Sequence, residues 1–208
     1  MAEGGRSAGP PVHSEGSRFE RAIARIDEVN SGDARTIHVD GVEEPRELLY
    51  GRRMSDALEQ FEPNASEALR LAVRAQHIAR WRIPRDDFPR DRAGYKRWRT
   101  GLMQMHADLA AGILREVGYD DDLVDRVGQL IRKQGIKRDP EAQTLEDVVC
   151  LVFLKHHLEE FAADHEEARI VEILQKTWVK MSTRGQDAAL QMGLTGRGGE
   201  LVAQALAG

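Results

Sequence analysis

Apolar residues recur at helical spacing through most of the chain. Phe19, Ile23, Ile26 and Val29 follow Ser17 and Glu20, which stand at capping-box spacing, and Asn30, Ser31 and Gly32 close the segment. This predicts an amphipathic first helix. A second is expected from near Pro45, with Leu48, Leu49, Met54, Leu58 and Phe61 facing inward and Pro63 as its stop. Between them, a short extended piece around residues 37–42 is too brief to imply a sheet, so residues 36–45 read as a loop. Asn64 and Glu67 suit the start of a third helix that Pro84 ends, and Gly94 precedes a long fourth helix that Gly118 punctuates. Asp121 or Asp122 suits the cap of a fifth helix. Thr144 suits the cap of a sixth, whose nearly continuous apolar run from Val148 to Leu154 marks it as the most buried. A seventh is expected over residues 166–181. The helical signal then weakens from Gly185 and is interrupted at Gly196, Gly198 and Gly199. No repeat and no strand-rich pattern competes, so the fold class is all-α.

The 208 residues suffice for one domain with a proper core. Residues 1–16, rich in Gly, Ser and Pro, carry too little apolar surface to offset the entropy of ordering and are expected to form a flexible tail. The helical domain then spans residues 17–192, and residues 193–208 form a C-terminal tail or weak terminal helix. A formal net charge of -5 argues against a general nucleic-acid coat, so any basic function must be local. The single cysteine, Cys150, lies in the run VVCLVFL and is expected to pack in the core. No apolar run approaches the roughly 20 residues that span a bilayer, and the start lacks a signal core. A cytoplasmic protein without a membrane partner is expected.

Three polar residues interrupt otherwise apolar helix faces. Leu69, Val73, His77 and Trp81 form one row. His106 lies among Tyr95, Trp98, Leu102, Leu109 and Ile113. Asp147 heads Leu151, Leu154, Leu158 and Phe161. A buried imidazole or carboxylate costs several kcal/mol unless it is hydrogen-bonded, paired or bound to metal. Each has a simpler reading as well: the histidines as core residues bonded to carbonyls, and Asp147 as an acid in the first turn after Thr144.

The phrases AQHIARW, MHADLAAGILREVGYDDDLVDRVGQLI and LEDVVCL, over about residues 45–160, resemble HD-domain phosphohydrolases. More narrowly, RAQHIARW, GYKRWR and TLEDVVCLVFL resemble an uncharacterised bacterial and fungal domain family, some members of which are labelled glutamyl-tRNA synthetase. The broader resemblance implies an HD-like helical bundle that binds a divalent metal and hydrolyses phosphate esters, with His77, His106 and Asp147 at the matching metal positions. Two family ligands are missing: no histidine stands near residues 51–53, and Ile78 follows His77 where an Asp is expected. Three ligands suffice for one catalytic metal with an open position, and this mixture suits zinc, manganese or iron. Glu146, about 100° around an ideal helix from Asp147, is the candidate proton acceptor.

Residues 70–99 hold a basic run with Trp81, Tyr95 and Trp98 interspersed. Guanidinium groups bind phosphate bidentately and rings stack on bases, so Arg74, Arg80, Lys96 and Arg97 are candidate phosphate contacts, and RNA is a weaker candidate partner. The expected function is a metal-dependent phosphohydrolase acting on a small phosphorylated metabolite or nucleotide. The alternatives are a catalytically degenerate HD-like module that binds a nucleotide or protein and an HD-like iron oxygenase. The chain has neither the length nor the Rossmann signature of a complete synthetase.

Overall fold

The computed structural model describes residues 16–207. All but the last residue of the tail expected over residues 1–16 lies outside them. Helix α1 (Arg18–Ser31) opens as its sequence predicts: the Ser17 hydroxyl accepts the Glu20 N–H at 3.2 Å, and the Glu20 carboxylate accepts the Ser17 N–H at 2.7 Å. This reciprocal pair satisfies two amides that the helix itself cannot. Where a loop was expected, β1 (Thr36–Val39) and β2 (Val42–Pro45) pair antiparallel, with Val39 opposite Val42. Asp40 and Gly41 between them both have positive φ, 51° and 85°. Asp-Gly favours that two-residue turn because its twist matches the strands.

Helices α2 (Arg46–Phe61), α3 (Glu67–Ala75), α4 (Arg92–Glu116) and α5 (Asp121–Ile131) follow, joined between α3 and α4 by two short 3-10 turns. Ser66, rather than Asn64, caps α3, and Asp120, rather than either following acid, caps α5. Helix α3 stops at Ala75, well before Pro84. Helix α6 (Pro140–His156) starts earlier than Thr144 suggests, because the Asp139 carboxylate accepts the Glu141 N–H at 3.0 Å and Pro140 fills the first turn, where no amide is missed. Thr144 instead donates to the Pro140 carbonyl at 2.9 Å.

The seventh expected helix is α8 (Glu167–Lys180), preceded by the short α7 (Leu158–Ala163); α9 (Thr183–Gln191) and α10 (Gly196–Ala207) are formed where the periodicity is weakest, and α10 packs on α8. Helix α6 runs through the centre, touching α2, α3, α5, α8 and α9. Around it Met54, Leu69, Leu71, Leu130, Ile131 and Leu145 are fully buried, each worth about 1.5–3 kcal/mol of removed apolar surface. The result is an all-α single-domain bundle. Among the described residues no helix is long and apolar enough to cross a membrane.

Candidate functional site

A cavity of about 480 Å³ opens between α2, α4, α6, α7, α8 and the turn that follows α3. Helical phase supplies its walls: Arg46, Glu47 and Tyr50 from α2, Arg99, Leu102, Met103 and His106 from α4, and Glu146, Val149, Cys150 and Phe153 from α6.

The turn after α3 controls the chemistry. Ala79 adopts the left-handed conformation (φ 51°, ψ 33°), and its N–H donates to the buried Asn30 Oδ1 at 3.0 Å. A side-chain-bearing residue costs about 1–2 kcal/mol there, so Asn30 holds a conformation that the local sequence resists. The consequence is that His77 and Arg80 both line the cavity while Ile78, 0 % exposed, points into the core. Asn30→Ala is therefore expected to lower stability by about 1–3 kcal/mol, read as a lower urea midpoint, because the Ala79 N–H is left buried without an acceptor. An unchanged midpoint would mean that this turn is held by something else.

The His77 ring stacks on Tyr50 (centroids 4.2 Å apart, planes at 12°), with Nδ1 3.6 Å from Glu47 Oε2. Its Nε2 accepts from Arg80 Nη1 at 3.4 Å. Glu47 is in turn held by Arg35, whose guanidinium also donates to Asp33. The His106 ring lies 5.9 Å from that of His77, and its Nδ1–H donates to the Ile78 carbonyl at 2.7 Å. That bond fixes the tautomer, leaving His106 Nε2 a pure acceptor, buried and without a partner among the described residues.

Burial, with Arg80, His106, Lys133 and Arg99 adding to it, holds His77 well below the ordinary histidine range. Burial likewise brings His106 down to about 4, against the pull of the Ile78 carbonyl, and His157 down to about 4. These imidazoles are neutral at physiological pH. Burial raises the Glu47 carboxyl despite Arg80 and Arg35. Burial also pushes the Cys150 thiol up to about 12, so this wall residue is unreactive packing.

The structure brings His77 and His106 to one cavity and leaves Asp147 out of it. Asp147 Oδ1 accepts the Ser182 N–H at 2.8 Å and Gln143 Nε2 at 3.1 Å, and Oδ2 accepts the Ser182 hydroxyl at 2.6 Å. Its carboxylate is fastened to the start of α9, where a Cβ on Gly185 would meet Oδ1 at 2.6 Å. Because α6 begins at Pro140, Asp147 is also not the first-turn acid of the simpler sequence reading. Among the described residues no group of three or more His, Cys, Asp or Glu side chains is placed to hold a metal ion, so the donors do not fit the expected three-ligand centre.

Glu146 does face the cavity, but its Oε2 accepts from Lys133 Nζ at 2.5 Å. Burial works to raise its carboxyl, yet the charge and hydrogen bond of Lys133 outweigh that and hold it below the usual range. A low-pKa carboxylate locked to an ammonium is a poor proton acceptor.

Of the four candidate phosphate contacts, only Arg80 lines the cavity. Arg74 is buried and bidentate to Asp27 at 2.7 and 2.6 Å, an internal clamp between α3 and α1. Lys96 and Arg97 are exposed on the outer face of α4. The cations that join Arg80 are Arg46, Arg99, Lys133 and Lys180.

Residues 20–202 match a family described as a domain of unknown function (DUF4202). The chain belongs to the DUF4202 family. No curated protein and no solved structure matched this DUF4202 chain.

Proposed function

We propose that the cavity of this DUF4202 protein binds a small phosphorylated metabolite and hydrolyses its phosphate ester. One observation carries this reading. Of the five cations on the wall, Lys133 pairs with Glu146 and Arg46 with Glu160, while Arg80, Arg99 and Lys180 have no carboxylate oxygen within 4.0 Å among the described residues. The wall also carries Glu47, Glu146, Glu160 and Asp164, so the cations outnumber the carboxylates by one, and Arg80 and Arg99, locked in no close ion pair, are left to an anion that their guanidinium groups match geometrically.

In this reading the phosphoryl group draws Arg80 away from His77 Nε2. Freed of Arg80 and beside the negative charge of the phosphate, that nitrogen becomes more basic and takes a proton from a water whose oxygen attacks phosphorus, and the ester P–O bond breaks. The departing alkoxide, on the far side of phosphorus, takes its proton from solvent water, and the imidazolium, stabilised by Glu47 meanwhile, releases its own to solvent. No step is routed through a metal. Turnover is therefore expected to survive dialysis against a chelator; loss of activity that zinc, manganese or iron restores would show that the donors regroup in solution.

A second reading, a nucleotide- or metabolite-binding module without turnover, is favoured by the Arg80 hydrogen bond that already occupies His77 and by the locked Glu146. A phosphate-release assay across a panel of phosphate esters, beside calorimetry with inorganic phosphate, separates the two. Release supports the enzyme, binding without release supports the module, and neither leaves both readings without support.

A further inference from the structure

Three buried polar side-chain atoms lack a hydrogen-bond partner among the described residues, namely Gln76 Oε1, His106 Nε2 and His157 Nε2, and all three belong to walls of this one cavity. Gln76 is 6 % exposed and His106 is 2 % exposed. Unpartnered polar atoms at that depth are rare and costly, and a cluster of them on one cavity marks a place where a ligand completes the bonding. Their chemistry is specific. His106 has given its only proton to the Ile78 carbonyl, and Gln76 Oε1 is a carbonyl oxygen, so both accept and neither donates.

We infer that the organic part of the substrate is rich in hydroxyl groups, a polyol or sugar phosphate, whose O–H donors are taken by His106 Nε2 and Gln76 Oε1 while its phosphate rests on Arg80 and Arg99. This rests on the anion-binding reading above and goes beyond it by naming the class of ester. An apolar or purely aromatic phosphate ester would press a surface without donors against these acceptors and leave them unpaired. A site built to hydrogen-bond a hydroxyl rejects such an analogue far more strongly than an apolar pocket rejects an added hydroxyl. Phe153, also on the wall, adds apolar surface without competing for the donors of a hydroxylated ligand.

The test is calorimetric titration of the full chain with inorganic phosphate, phenyl phosphate, and a hydroxylated set of glycerol 3-phosphate, glucose 6-phosphate and myo-inositol 1-phosphate. At least one of the hydroxylated set is expected to bind roughly tenfold or more tighter than both phenyl phosphate and inorganic phosphate. His106→Asn keeps a donor for the Ile78 carbonyl but lacks the second ring nitrogen; Gln76→Leu keeps the side chain's length without its acceptor. Each is expected to bring the preferred ester down toward the affinity of inorganic phosphate. Phenyl phosphate binding as tightly as the hydroxylated esters, or a preference that survives both substitutions, overturns the inference while leaving the anion site standing. Failure of every compound, inorganic phosphate included, removes the anion site and this inference with it.

Discussion

His77→Asn is expected to slow phosphate-ester turnover by roughly 10²–10⁴-fold, the range for losing a positioned general base, with little change in KM. Asparagine keeps a polar group on the side facing Glu47 but has nothing where Nε2 stands, so the proton acceptor alone is removed. Arg80→Met should show the opposite split, raising KM about tenfold or more, because a charge-assisted hydrogen bond is worth about 1.5–3 kcal/mol. The two residues touch at 3.4 Å, so their effects should not add, and the double variant is needed to measure the coupling. A His77→Asn protein that keeps its kcat would end the assignment of His77 as base. If the same variant loses phosphate binding instead, His77 serves the anion rather than the water.

The difference between what sequence pattern predicts and what forms here has local causes. The row Leu69, Val73, His77 presumes an unbroken helix, but the chain leaves it at Ala75. No Gly or Pro announces that exit; a left-handed Ala79 makes it, held by Asn30 from 49 residues earlier in the chain. His77 nevertheless meets His106, because the turn aims it at the same space that α4 faces. Asp147 faces Ser182 rather than the cavity, and its simpler reading as a first-turn acid failed through a misplaced helix start. Asp139-Pro140 is a legible cap and first turn, and taking it instead of Thr144 puts Asp147 deep enough along α6 to meet Ser182. The hairpin was legible too, from Asp40-Gly41.

The cations were harder to find. Arg46 and Glu47 read as an ordinary first turn, and Lys133 reaches the cavity from irregular backbone at φ 56° just beyond α5. Periodicity reports which face of a regular element is buried. It says nothing about residues placed by the irregular backbone between elements, and those residues carry much of this site.

Acid should unfold the protein in two separable steps. The first belongs to the buried neutral histidines. His106 titrates near 4 in the folded protein and at about 6.5 when unfolded, so between these values the unfolded chain binds more protons and stability falls as pH falls. For His106 alone the loss by pH 4 is about 3 kcal/mol. His77 acts in the same direction, and the half-buried His157 adds less.

The second step belongs to Glu146, whose carboxyl Lys133 holds low. Its contribution is present above the unfolded value of about 4.3 and disappears as pH drops through the folded one. Urea unfolding at a series of pH values separates the two: His106→Asn should flatten the slope between roughly pH 6.5 and 4 and leave the lower step intact. Glu146→Gln should remove the lower step but cost about 3–5 kcal/mol even at neutral pH, because Lys133 is then buried without its partner. A wild-type protein whose stability is flat from pH 6.5 to 4.5 would mean that His106 protonates freely. The cavity floor would then be wet, and the unpartnered nitrogen on which the substrate class depends would already have a partner.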